Sequence, residues 1–177
     1  EKLRALFQRM GYTLTARHRS RAVELWQQGD ITYVLNDEAG SHARRFVEQH
    51  GPCAPSMCWR VVDAAHAFAH AVKMGATPYD GPGKTLDLPA IVGIGGSLIY
   101  FTDRYSGISP YDAEFDRIAP AKPKGVGFHY LDHLTHNVQR GNMDKWFDFY
   151  GHLFNFRQIR FFDIAGKYTG LFSRALT

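Results

Sequence analysis

Apolar residues recur at spacings of three and four in three stretches of the chain, and each stretch ends on a residue suited to a left-handed cap. In "EKLRALFQRMGYTLTARH" the stripe is Leu3, Leu6, Phe7 and Met10, and Gly11 stops it. In "VVDAAHAFAHAVKMGATPY" it is Ala65, Phe68, Ala69 and Val72, with Gly75 as the stop. In "NMDKWFDFYGHLFNFRQIRFF" the stripe is Trp146, Phe149, Tyr150, Leu153 and Phe154, and Asn155 stands where the others have glycine. Asparagine is the next-best residue for that left-handed position, so the third pattern predicts a helix as firmly as the first two. A shorter helix is expected over "SHARRFVEQHG", around Phe46 and Val47.

Between the helices the period drops to two. "AVELW" and "ITYVLN" flank "QQGD", a hairpin with Gly29 in its turn. "SLIYFT" follows "GIGG", and "QIRFFDI" and "YTGLFSRA" flank "AGK". "SMCWRVVD" reads as a buried strand that places Cys58 in the core. "HYLDHLTH" reads as a strand with His129, Leu131, His133 and Thr135 on one face and Tyr130, Asp132, Leu134 and His136 on the other.

One helix against a small antiparallel sheet, repeated over segments of roughly 60 to 80 residues, implies a tandem α+β repeat. The polar, proline-bearing "SGISPYDAEFDRIAPAKPKG" is expected to lead from a two-unit first domain, residues 1–119, into a second, residues 120–177. The third unit runs out at Thr177 as its third strand finishes, and no strand precedes the first helix. If the units pair, a fourth is owed, so we read the chain as a piece of a longer protein.

Composition narrows the class. The chain of 177 residues is 45% hydrophobic, 14% aromatic and 21% charged, which is globular. A net charge of +4 is mild, and its densest cluster, Arg17, Arg19 and Arg21, reads as a solvated strand edge in preference to a nucleic-acid footprint. No apolar run approaches the roughly 20 residues that span a bilayer, and the start lacks the apolar core of a signal peptide. Cys53 and Cys58 have neither the spacing nor the histidine partners of a zinc site, and so low a cysteine content suits a reducing cytosol.

The candidate chemistry centres on "HYLDHLTH". At about 3.3 Å per residue, His129 and His133 stand roughly 13 Å apart, too far for one metal with bonds near 2 Å. His133 and His136 point to opposite faces of a continuous strand, so this stretch builds no metal site by itself. "GIGG" lacks the Lys-Ser/Thr ending of a phosphate loop and precedes a strand, so its glycines are read as a bend. Ser173 has no nucleophile-elbow context, and a triad of Ser173, His133 and Asp132 is opposed by the divergence of adjacent residues on a strand.

At this point the residues carry a resemblance. "LDHLTHNVQRGNMDKWFDFYGHLFNFRQIRFFDIAGKYTGLFSRAL" resembles the opening of the catalytic domain in the bacterial 4-hydroxyphenylpyruvate dioxygenase family. "RMGYTLTARHRSRAVELWQQGDITYVLN", "HGPCAPSMCWRVVDA" and "LPAIVGIGGSLIYFTDR" are similar to that family's amino-terminal domain. The likeness runs in order along nearly all of the chain. It implies paired βαβββ units of the vicinal-oxygen-chelate type, with the last unit missing here.

The resemblance further implies an Fe(II) dioxygenase that converts 4-hydroxyphenylpyruvate and O2 to homogentisate and CO2 in tyrosine and phenylalanine catabolism. Its iron is held by two histidines and a glutamate. By that likeness His133 is the first iron ligand, and the other two ligands fall beyond Thr177, so this chain alone is expected to have neither tight metal nor turnover. Thr135 and Ser173 match positions that line the family's substrate pocket, and strand alternation sets Thr169, Leu171 and Ser173 on one face. His136 is left structural. Hydroxymandelate synthase and a non-catalytic ligand-binding module are the competing readings. A cytoplasmic homo-oligomer is expected, with no nucleic-acid or membrane partner.

Overall fold

A computed structural model describes residues 1–105, 109–167 and 169–177. Ser106 to Ile108, at the start of the expected inter-domain passage, and Tyr168, expected in the last strand, lie outside the described residues.

The first unit is helix α1, Lys2–Arg9, followed by strands β1, Thr13–His18, β2, Val23–Gln28, and β3, Ile31–Asn36, in an antiparallel meander. The helix stops as its sequence requires: Met10 caps it and Gly11 turns left-handed at φ +81°. Helix α2, His42–His50, starts on buried Ser41, whose hydroxyl accepts from the Arg44 amide at 3.1 Å. Its basic face is solvated around Phe46, with an Arg44–Glu48 pair one turn apart.

The second unit is strand β4, Ser56–Arg60, helix α3, Ala64–Lys73, and strands β5, Ala90–Val92, and β6, Leu98–Thr102. Its sheet runs β4-β6-β5, with an isolated bridge from Pro78 to Ile91 on the far edge. The strand before the helix therefore pairs parallel with the unit's last strand, Trp59 opposite Phe101. Residues 93–96 make the expected bend, with Gly95 and Gly96 both at positive φ.

Every residue of β6 is buried, and strand alternation divides them between two cores. Leu98 and Tyr100 face Ala16, Val23 and Leu25 of the first sheet. Ile99 and Phe101 face Ala64 and Ala71 of α3. On the outer side of the first sheet, Phe7, Tyr12, Trp26 and Ile31 form a third core under α1. The layers thus run helix, sheet, sheet, helix, and a buried aliphatic or aromatic side chain in them contributes about 1.5–3 kcal/mol.

Several expectations are corrected. The buried stripe of α3 is Ala64, Ala67, Phe68 and Ala71, one position off the expected Ala65, Phe68, Ala69 and Val72, because Phe68 is the one large apolar side chain of an otherwise alanine-rich stripe and fits either phase. Cys58 is exposed: alternation on edge strand β4 turns Met57 and Trp59 inward and Cys58 outward. The polar passage contains a strand, β7, Phe115–Arg117, which pairs with the free edge of β1. That pairing also neutralises two of the three arginines of the cluster, while Arg17 lies 3.9 Å from Glu24 of β2. Arg19 meets Asp116 at 2.9 Å, and Arg21 meets Glu114 at 2.8 Å while donating to the Lys84 and Thr85 carbonyls.

Candidate functional site

The third unit holds all the residues singled out for chemistry. It comprises helix α4, Met143–Phe154, and the hairpin of β8, Gln158–Ala165, and β9, Gly170–Leu176. Asn155 caps α4 in the left-handed conformation at φ 57°, ψ 24°, as its place in the pattern required. Tyr150 and Leu153 of α4 enter the same core as Ile91, Ile99 and Phe101, so the helix docks on the second unit's sheet. Trp59 carries much of that contact, with ring centroids 4.3 Å from Phe154 and 5.4 Å from a parallel Phe156.

The stretch from residue 128 to 139 is not a strand: it is irregular and almost wholly exposed. The second unit shows why. There the strand before the helix exists by pairing with the last strand of the unit, and a strand without a partner leaves its amides and carbonyls to water. The third unit's sheet consists of β8 and β9 alone among the described residues, and neither reaches residues 128–139.

What fixes the beginning of this stretch is a residue of the first unit. Gln28 is fully buried, and its Oε1 accepts from the amides of Val126, Gly127 and Phe128 at 2.6, 3.1 and 3.2 Å. Its Nε2 donates to the Met10 carbonyl at 2.9 Å. The Gly29 amide donates to the Pro123 carbonyl and the Asp30 amide to the His129 carbonyl, while Lys122 pairs with Asp30 at 2.6 Å. The approach is so close that a β-carbon on Gly29 would lie 2.7 Å from the Phe128 carbonyl oxygen. In the sequence Gln28 was only the shoulder of a hairpin; no pattern marks a glutamine that will be buried by a segment 98 residues away.

Among the described residues, no hydrogen bond ties residues 130–138 to the first unit. His133 is 75% exposed in its side chain, and its Nδ1 lies 2.8 Å from Oδ2 of Asp132. The expectation that these neighbours diverge is therefore corrected, since it presumed an extended strand. A carboxylate only accepts, so the Nδ1 facing Asp132 carries a proton, and Nε2 has no described hydrogen-bond partner. Thr135 is exposed in the same stretch. The ring of His136 leans on Tyr150, with centroids 6.1 Å apart. The residue as a whole is exposed, but desolvation of the ring on that side lowers the imidazole's pKa, and burial pushes the Tyr150 phenol up to about 12.

Ser173 sits on β9 opposite Phe162 and is half-buried. Its neighbour Arg174 points to the other face, toward α4, where it pairs with Asp144 at 2.7 Å and lies 5.0 Å from the Phe147 ring centre. Ser173 and Leu171 therefore share the face turned away from the helix, and Leu171, Phe162 and Ile164 there are exposed. No hydrogen bond among the described residues joins Ser173 to His133, so no triad forms. The described residues also gather no group of three histidine, cysteine or carboxylate side chains able to hold a metal. One outward imidazole by itself does not meet the needs of an iron centre, which takes two histidines and a carboxylate.

Comparison with known proteins adds context to this geometry. Residues 1–116 match the family model described as hydroxyphenylpyruvate dioxygenase, HPPD, N-terminal. A 4-hydroxyphenylpyruvate dioxygenase of Pseudomonas aeruginosa is 50% identical over 100% of this chain and 51% of its own length. Hemolysin VllY of Vibrio vulnificus is 48% identical over 100% of this chain and 51% of its own length. Among solved structures, a xylose isomerase-like TIM barrel/4-hydroxyphenylpyruvate dioxygenase fusion protein superposes with a TM-score of 0.82 at 31% identity, covering 99% of this chain and 28% of that one. The chain spans about half the length of the curated relatives it matches.

Proposed function

We propose, from the premise that this chain belongs to the hydroxyphenylpyruvate dioxygenase family, that it is the amino-terminal portion of an Fe(II)-dependent dioxygenase acting on 4-hydroxyphenylpyruvate and O2. The observation that carries the reading is the 50% identity to a 4-hydroxyphenylpyruvate dioxygenase along the whole chain. Homogentisate and CO2 are the products, and the division into an amino-terminal domain over 1–119 and the first unit of a catalytic domain over 120–177 belongs to the same proposal.

His133 supplies one iron ligand in this reading. Its Nδ1 lies 2.8 Å from the Asp132 carboxylate, the kind of contact that orients a metal-bound imidazole and leaves Nε2 to the metal. Iron, held by His133 together with a second histidine and a carboxylate, would supply Lewis-acid and redox chemistry toward a 2-oxo acid and O2. Ser173 and Thr135 offer hydroxyls for the substrate's polar groups, and the apolar face around Leu171, Phe162 and Ile164 offers a wall that excludes water from its ring. The first unit's part is to anchor the stretch that bears His133, through Gln28.

A cytoplasmic homo-oligomer completes the proposal. No helix among the described residues is long and apolar enough to cross a membrane, and the hairpin exposes apolar side chains on both faces, Phe161 and Phe172 as well as Ile164 and Leu171.

The test is product analysis with the full-length protein, 4-hydroxyphenylpyruvate, Fe(II) and O2. Homogentisate with one CO2 per turnover supports the reading. 4-Hydroxymandelate would transfer the chain to the synthase reading, and no consumption of O2 would leave a non-catalytic module.

A further inference from the structure

A pair of imidazoles that the proposed reaction does not use stands on the outer face of α3. His66 and His70 are one turn apart, both exposed, and their rings lie nearly parallel, with centroids 6.5 Å apart and 17° between planes. They project from the side opposite Ala64, Ala67 and Ala71, which seal the helix onto the sheet. The helix beneath them is firmly set. Asp63 caps it by accepting from the His66 amide at 2.8 Å, and Asp103 accepts from the Ala64 amide at 3.1 Å.

Two histidines four residues apart on one helix face are the chelating half of helical zinc sites, because their Cβ atoms lie only about 5–6 Å apart and both rings can swing toward one ion. A shared ion with metal–nitrogen bonds near 2 Å draws the two nitrogens to within about 3–4 Å. For exposed rings this needs only side-chain rotation. The described contacts of each imidazole are with the other ring, so no hydrogen bond has to be broken first. The Asp63 carboxylate, one turn back from His66, adds negative charge nearby.

We infer that His66 and His70 form a bidentate surface site for a divalent cation of the imidazole-preferring class, Cu2+ most tightly and Ni2+ or Zn2+ after it, with water completing the coordination. The site is separate from His133 and independent of the proposed dioxygenase activity. Both ligands belong to a preformed helix, so binding also holds the folded state.

The experiment is calorimetric titration of this chain with Cu2+, repeated with Ni2+, at neutral pH and without chelating buffer. Wild type, His66→Ala, His70→Ala and a control, His152→Ala, are compared; His152 is an exposed histidine of α4 outside the pair. The expected result is one binding event present in wild type and the control, and lost in each of the two α3 variants. Retention of that event in either α3 variant overturns the inference, as does its loss in the control. Thermal unfolding provides a second reading: Ni2+ is expected to raise the midpoint of wild type and to leave His66→Ala unshifted, and equal shifts in both contradict the site.

Discussion

Oε1 of Gln28 stands 2.6 Å from the amide nitrogen of Val126, across 98 positions of sequence. That bond, with its neighbours to Gly127 and Phe128, ties the segment leading to His133 onto the first unit. Gln28→Leu keeps the volume but strands the three amides and the Met10 carbonyl. Since an unpaired buried group costs about 1–3 kcal/mol, a loss of about 3 kcal/mol is expected in urea unfolding. Gln28→Glu keeps an acceptor for the three amides but buries a carboxylate with its second oxygen against the Met10 carbonyl, so it should also lose stability. Equal stability of Gln28→Leu and wild type would show that the clamp contributes nothing.

The left-handed cap of α4 makes a second prediction. Asn155 holds φ 57°, a region that costs most residues about 1–2 kcal/mol. Asn155→Ala should therefore lower stability by about 1 kcal/mol in denaturant unfolding, while Asn155→Gly should match or slightly exceed wild type. The reverse order contradicts the cap.

Docking of α4 on the second unit rests on aromatic contacts centred on Trp59 and Phe154, 4.3 Å apart. A double-mutant cycle of Trp59→Leu and Phe154→Leu should return a coupling of about 0.5–1.5 kcal/mol. Additive effects would mean that helix and strand unfold without reference to each other.

Two histidines set a pH dependence. Burial lowers the pKa of His42, with Arg45 nearby acting in the same direction against the bond to the Gly96 carbonyl, and desolvation of the ring face on Tyr150 lowers that of His136 although the residue is exposed overall. The unfolded chain then takes up protons at a higher pH than the folded one. The stability due to these neutral imidazoles is full above their ordinary value of 6.5 and is lost as pH falls toward the folded values. The urea midpoint should fall between pH 7.5 and pH 5.5, and His136→Phe, which keeps a ring against Tyr150 but cannot titrate, should show a smaller fall. An unchanged fall in that variant would show that His136 has no part in it.

The helices and hairpins were legible because their signals are local: a three-four stripe, a glycine or asparagine stop, a turn between alternating runs. Asn155 is the plainest case, since residue type and left-handed geometry coincide at one position. What stayed hidden depends on partners distant in sequence. The phase of α3 is set by the sheet beneath it, Gln28 is buried by a passing segment, and β7 becomes a strand only because β1 offers it an edge. The stretch around His133 shows the converse: its alternation is that of a strand, yet no described strand pairs with it. The site was legible as a family resemblance, whereas the contact of His133 with Asp132 depends on how the chain bends between two adjacent residues.

The most direct test is to substitute the outward imidazole itself. Fe(II)-dependent conversion of 4-hydroxyphenylpyruvate to homogentisate is measured for the full-length wild-type protein and for His133→Ala, alongside Fe(II) content after gel filtration. Because the side chain is exposed and its described contact is with Asp132, the variant should fold as wild type does. If His133 is an iron ligand, the variant retains neither iron nor turnover. A folded His133→Ala that keeps its iron and forms homogentisate at the wild-type rate would contradict that assignment.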